Sequence, residues 1–327
     1  MMTATLEKRD NPARRAAVER AHVEDATAAS VQEKLDGLVK AGEGMRDGRG
    51  LLITGPAGSG KSHLIKRFRT RHDLAPYEME TGEGTARPII FVNAPSPCTL
   101  KALGYEILTE LTGVPPRTNM LSHAVWSRVR RQMVANRTKF LVIDEIHHVL
   151  QRKNDAEAES LAETFKNVMQ NPEWPINLVL GGMPLTNKFT REHPQFGRRI
   201  DIVSIEPVPD NDDGYLKIGR YLDNLVPRLE FAGIFSLSEA DMPLRFQRAT
   251  GGYLGSVANV VKTAAHIALD QEGAVIDRED LAEAVKAIFK MSSHENPFLV
   301  ENPDDLRRTA HDSASRRTKL AGSAHAS

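Results

Sequence analysis

The eight residues Gly55-Pro56-Ala57-Gly58-Ser59-Gly60-Lys61-Ser62 constrain this chain more than any other segment. They fit the pattern G-x-x-x-x-G-K-[ST] at every fixed position. The apolar run Leu51-Leu52-Ile53-Thr54 precedes them, and a helical pattern follows. Glycines at these places let backbone N–H groups turn inward around phosphate oxygens, and the helix that starts near Gly60 adds its positive dipole end. A strand, a phosphate-cradling loop and a helix in that order imply a parallel α/β sheet with its ligand at a strand's C-terminal end. The competing reading, a chance Gly-rich turn, does not account for this flanking context.

The rest of the chain fits such a sheet. Short apolar runs at 51–54, 89–93, 139–144, 176–181 and 201–205 read as strands. Four show little polar alternation, as expected for strands covered on both faces. Helical patterns fall between them at 60–71, 99–112, 121–136 and 157–170. Alternation of this kind predicts a three-layer αβα sandwich on a parallel five-stranded sheet. After residue 206 the strand signals stop. Segments 212–226, 241–250, 254–269 and 277–290 read as helices of a small C-terminal domain, with Leu281, Ala284, Val285 and Ile288 marking the period.

Before the core, Val31, Leu35, Leu38 and Val39 predict a helix over 30–40, whereas residues 1–28 read as disordered or as a marginal helix. The expected division is an N-terminal extension and helix over 1–40, a nucleotide-binding core over 41–205, a helical lid over 206–290 and a mobile polar tail over 291–327. That tail carries Arg307, Arg308, Arg316, Arg317 and Lys319.

Within the motif, Lys61 is expected to reach the β- and γ-phosphates of ATP, and Ser62 to ligate Mg²⁺. His63, next on the helix, joins Gly55–Ser62 as a candidate nucleotide contact. The strand Phe140-Leu141-Val142-Ile143 ends in Asp144-Glu145. Asp144 is expected to hold Mg²⁺, directly through Ser62 or through water, and Glu145 to polarise the attacking water as a general base. His147 and His148 follow. Adjacent helical residues diverge, so structural or switch roles are favoured over a metal pair.

Composition sets limits. Lys plus Arg and Asp plus Glu each number 43, for a net charge of zero. A nucleic-acid surface must then be a local patch. The single cysteine, Cys98, rules out a disulfide within the chain, which suits a reducing cytoplasm. No apolar run approaches the ~20 residues that span a bilayer, and the charged N-terminus lacks a signal-like apolar core. A cytoplasmic location without membrane attachment is the expectation. Trp126 and Trp174 read as core or interface residues.

The Asp144-Glu145 pair and the helical C-terminal domain resemble the AAA+ class. That resemblance implies an arginine completing the site from a neighbouring subunit, and Arg198 and Arg199 in Gln195-Phe196-Gly197-Arg198-Arg199-Ile200 stand where the class carries it. Two departures stand out. The fourth strand ends in Leu180-Gly181-Gly182-Met183-Pro184 without a polar sensor, with Thr186 and Asn187 nearby. The segment Thr250–Ser256 lacks a second sensor arginine, and Arg248 precedes its glycines.

With these features, the helix before the P-loop, Asp144-Glu145-Ile146-His147, Gly251-Gly252-Tyr253-Leu254-Gly255 and Asn296-Pro297-Phe298, the chain resembles the TniB/TnsC/MuB group of AAA+ regulators of DNA transposition, and TniB most, over about residues 30–298. The resemblance implies ATP-dependent homo-oligomers, rings or filaments, on double-stranded DNA. It also implies a DDE transposase partner and a TniQ-like targeting protein. It puts the DNA-facing surface in Pro95–Thr118, with Lys101, Arg117 and Thr118 as phosphate contacts. Arg128, Arg130 and Arg131 on the next helix could extend the patch, and the basic tail is a further candidate. Each of these charges is also compatible with an ordinary solvated surface. Two other readings stay open: another bacterial AAA+ switch (initiator, helicase loader or secretion ATPase), or an ATP-binding adaptor that does not hydrolyse.

Overall fold

A computed structural model describes residues 11–41, 47–80, 82, 84–117, 119–150, 155–231, 241–273 and 275–306. In chain order the elements are α1 (Asn11–Arg20), α2 (Ala26–Ala41), β1 (Gly50–Thr54), α3 (Lys61–Arg69), β2 (Tyr77–Glu78), β3 (Thr85–Ala86), β4 (Ile89–Asn93), α4 (Leu100–Thr112), α5 (Ser122–Ala135), β5 (Phe140–Asp144), α6 (His147–Leu150), α7 (Asp155–Met169), β6 (Asn177–Gly182), α8 (Thr186–Glu192), α9 (Pro194–Gly197), β7 (Ile200–Ser204), α10 (Asp212–Leu225), α11 (Met242–Thr250), α12 (Leu254–Asp270) and α13 (Arg278–Phe289).

Five strands form one parallel sheet in the order β4-β5-β6-β1-β7. The three central strands are buried at every residue, whereas the edge strands β4 and β7 are partly exposed. That difference explains the sequence pattern: central strands carry unbroken apolar runs, and edge strands mix in polar residues. β2 and β3 make a separate two-stranded hairpin that the sequence reading did not anticipate.

Contacts divide the chain into two units. One comprises residues 26–57 and 61–205, and the other 1–25, 58–60 and 206–327. The first is the αβα layer structure. Leu52, Leu141, Ile143, Leu178 and Leu180 of the sheet share a core with Leu103, Ile107 and Leu111 of α4, Val125, Trp126 and Val129 of α5, and Phe165 of α7. Each fully buried side chain of this size contributes roughly 1.5–3 kcal/mol. α4 begins at an N-cap, where Thr99 accepts the Ala102 N–H, and stops at Gly113, which takes the left-handed conformation at φ 71°. α4 and α5 pack closely because Gly104 has no side chain. A Cβ there would lie 2.6 Å from Val125. Trp126 donates its indole N–H to Leu100 O at 3.0 Å, and the Trp174 indole donates to Thr138 O. Cys98 is buried in the same core.

The helical unit has its own core, in which Ile218, Leu222 and Leu225 of α10 meet Phe246 of α11, Val257, Val260 and Ala264 of α12, and Leu281 and Val285 of α13. A capping box of Asp277 and Asp280 starts α13.

Two segments go beyond the sequence reading. The first is 11–25. Its α1 is a helix whose Val18 is fully buried in the helical unit's core, and Lys262 and His266 of α12 bond to Glu19. The second is 291–306, expected to be mobile. Its described part is ordered, because buried Arg245 donates to the carbonyls of Pro297, Val300 and Glu301, while Arg278 donates to Phe298 O and Val300 O. Asn296 and Phe298 are buried, and the Asn296 amide donates to Ala282 O at 2.7 Å. The tail residues Arg307, Arg308, Arg316, Arg317 and Lys319 lie outside the described residues.

Candidate nucleotide site

β1 and β5 are separated in the sheet only by β6, so their C-terminal ends bring Gly55 and Asp144 to one edge of the sheet. The loop after β1 has the backbone that its glycines permit: Gly58 is at φ +79° and Gly60 at φ +103°. Lys61 opens α3, is 4% exposed, and curls back to donate to Pro56 O at 2.9 Å. Burial lowers its pKa, while the nearby Glu145 and Asp144 charges oppose that shift. Ser62 is half-buried and His63 exposed. Ser59 Oγ is buried and has no hydrogen-bond partner among the described residues. An orphaned hydroxyl in a loop with positive φ at Gly58 and Gly60 fits a phosphate ligand, whose oxygens accept such donors.

Gly58–Gly60 belong to the helical unit by their contacts. Within it, Ser256 Oγ donates to Gly58 O at 3.0 Å. Gly255 lies so near that a Cβ would fall 2.5 Å from Ser59 O. Neither approach is legible in the residue pattern, apart from the small residues themselves.

The acidic pair is held by both neighbouring strands. Ala94 donates its N–H to Asp144 O, and Ile146 donates to Gly181 O. Asp144 is 4% exposed, and its Oδ1 accepts the Glu145 N–H at 2.8 Å. A Cβ on Gly181 would fall 2.5 Å from Asp144 Oδ1, so only glycine leaves this carboxylate its place. Glu145 sits at φ +54°, an uncommon conformation for a non-glycine residue, and is half-buried. Its Oε2 lies 2.9 Å from His147 Nδ1.

His147 is 5% exposed, and burial, His148 and Lys61 together push its pKa down to about 4, so it is neutral. The two histidine rings do not diverge as expected. Their centroids are 4.3 Å apart, and His148 donates Nδ1–H to Ala94 O at 3.0 Å. Lys61, Asp144, Glu145 and His147 therefore form one electrostatically coupled group of buried or half-buried side chains.

The two candidate arginines differ. Arg199 donates to Gln195 O at 2.8 Å and pairs with Asp47 at 3.5 Å. Arg198 is exposed and makes no ion pair among the described residues. Arg248 is committed within the helical unit, to Asp210 at 2.6 Å and Asp304 at 3.4 Å. Past the end of β6, Thr186 Oγ1 and Asn187 Oδ1 are buried and unpartnered among the described residues.

Of the candidate DNA contacts, Lys101 is in the first turn of α4, half-buried, with its ammonium 5.5 Å from the Tyr105 ring centre. Arg117 is exposed on the α4–α5 loop. Thr118 lies outside the described residues. Arg128 and Arg131 are exposed on α5, and Arg130 is half-buried. No described helix is long and apolar enough to cross a membrane.

Comparison with solved structures finds the same fold. The Orc1 protein of Aeropyrum pernix in complex with DNA matches with a TM-score of 0.60 at 18% identity, over 84% of this chain and 69% of that one. Cdc6p from Pyrobaculum aerophilum matches with a TM-score of 0.56 at 13% identity, over 85% and 72%. Drosophila ORC bound to DNA matches with a TM-score of 0.54 at 14% identity, over 90% and 70%. At these identities the likeness is one of fold, and the fold is AAA+. Comparison with curated proteins finds no significant match. Residues 15–208, more than half the chain, match the family model described as Bacterial TniB protein, and the chain belongs to the TniB family.

Proposed function

We propose that this protein is an ATP-dependent regulator of DNA transposition. In this reading it binds ATP with Mg²⁺, oligomerises on target double-stranded DNA and recruits a DDE transposase. Hydrolysis then releases the assembly. The observation that carries the ATPase part is the coupled group of Lys61, Asp144 and Glu145 at the C-terminal edge of a parallel sheet, beside a loop with positive φ at Gly58 and Gly60.

Each residue then has a task. Backbone amides of Gly55–Ser62 surround the phosphates, with Pro56, Ala57 and His63 lining the approach. Lys61 leaves Pro56 O for the β- and γ-phosphates, and its burial makes that charge count. Ser62 and Asp144 would hold Mg²⁺, which neutralises charge on the phosphates. Glu145, set by its own backbone conformation, accepts a proton from the attacking water. Exposed Arg198 is free of the ties that hold Arg199, so it is the better candidate to complete a neighbouring subunit's site. A heterologous contact that traps ATP makes assembly depend on the nucleotide.

Family membership supports the transposition role, and Lys101 and Arg117 supply candidate phosphate contacts. A TniQ-like protein is a further expected partner. The proposed division is an N-terminal part to residue 40, a core over 41–205, a lid over 206–290 and a segment from 291. Electron microscopy of the protein with duplex DNA and a slowly hydrolysed ATP analogue tests the assembly. Nucleotide-dependent rings or filaments on DNA support it, and monomers under all conditions overturn it. ATPase assays with and without duplex DNA separate this reading from a non-hydrolysing adaptor.

A further inference from the structure

We propose that Glu145, His147 and His148 form a binding site for one transition-metal ion of the zinc class, separate from the Ser62–Asp144 magnesium position, and that filling it withdraws Glu145 from water activation. One donor atom from each of the three residues lies within 4.8 Å of the others. Two imidazoles and a carboxylate are donors that zinc takes, whereas magnesium takes oxygen.

Two details favour a metal over a simple hydrogen-bonded cluster. First, His147 Nδ1 is buried and has no hydrogen-bond partner among the described residues, although Glu145 Oε2 is 2.9 Å away. The two atoms approach without the alignment of a hydrogen bond, as two ligands of a common ion do. Second, His148 gives its Nδ1–H to Ala94 O. That bond fixes the tautomer and leaves Nε2 with a free lone pair, the arrangement that orients metal-binding histidines.

The geometry is within reach. A tetrahedral ion with bonds of about 2.0 Å needs donors about 3.3 Å apart. The first pair is already close, and rotation of half-exposed side chains brings in the third. The positive φ of Glu145 and the single-turn helix α6 put all three side chains beside one another. The effect on turnover rests on Glu145 being the base; the site itself does not.

The test uses the whole chain, stripped of metal by a chelator and kept in excess Mg²⁺. Zn²⁺ is titrated against a chromophoric indicator. One equivalent should bind. His147→Asn and His148→Asn should each weaken binding at least ~10-fold, and Ser62→Ala should leave it unchanged. X-ray absorption on the zinc-loaded wild type, which needs no variant to fold, should show nitrogen ligands from imidazole. No uptake, wild-type uptake by the histidine variants, loss in Ser62→Ala, or a shell without imidazole overturns the proposal. Mg²⁺-ATP turnover in the stripped protein separates the two readings. Turnover with no zinc uptake sinks the metal site and leaves the ATPase intact. Zinc uptake with no turnover does the reverse.

Discussion

Glu145 and His147 meet at 2.9 Å, the histidine almost fully buried and neutral. The contact sets a buried imidazole against the residue that would activate water. Replacing Glu145 by Gln keeps the shape and removes the proton acceptor. ATP turnover should fall by about 10²–10⁴-fold, while binding of a fluorescent ATP analogue stays within a few-fold of wild type. Unchanged turnover would remove Glu145 from the mechanism.

His147 also ties stability to pH. Its folded pKa of about 4 lies below the usual 6.5, so the unfolded chain takes up the proton first. Stability from this group is complete above pH 6.5 and is lost as the pH falls towards 4, by up to about 3 kcal/mol. Denaturant melts of the wild type between pH 7 and 4.5 should show that loss. His147→Gln should flatten it, and an identical pH profile in the variant would exclude His147 as the source.

Arg198 and Arg199 should separate in experiment. Arg198→Ala should cut turnover of the assembled protein by about 10³-fold or more, as loss of a trans-acting arginine does, with an unchanged melting temperature. Arg199→Ala breaks the tie to Gln195 and Asp47 and should act mainly on stability. Wild-type turnover in both variants would place the completing arginine elsewhere.

DNA affinity should depend steeply on salt. Lys101→Ala and Arg117→Ala should weaken binding to any duplex sequence about equally. Each should reduce the slope of log K against log salt by about 0.9 if one phosphate contact is lost. Slopes equal to the wild type's would exclude these two residues from the interface.

Arg245 gives a purely structural prediction. Its guanidinium is 3% exposed and serves the carbonyls of Pro297, Val300 and Glu301, besides Asp241 at 2.6 Å. Arg245→Met should destabilise the helical unit by about 3–5 kcal/mol, because Asp241 and the carbonyls lose their partner. Calorimetry checks this, and a shift below ~1 kcal/mol would mean water replaces the guanidinium at little cost.

What was legible in the sequence followed from burial. The strands at 51–54, 89–93 and 139–144 were found within a residue because a sheet covered by helices demands apolar runs, and the phosphate loop announced itself by its fixed glycines. Order in 291–306 was not legible. It depends on side chains of Arg245 and Arg278 reaching backbone carbonyls up to 56 residues away in the chain, and a polar segment pinned by its main chain looks like a solvated one. The choice between disorder and a marginal helix at α1 stayed open because one apolar stripe of alanines and Val18 carries little signal until its partner is known. The histidine pair was misjudged because helical divergence applies to regular helices, and α6 is one turn long.

The placement of α1 has a consequence for synthesis on the ribosome. Val18 leaves the tunnel early, but its partners on α12 begin at residue 254. At 5–20 residues per second, α1 waits on the order of 10–50 s with its apolar stripe uncovered. The sheet unit is translated entirely within that interval, so the chain completes the sheet unit before it can close the helical one.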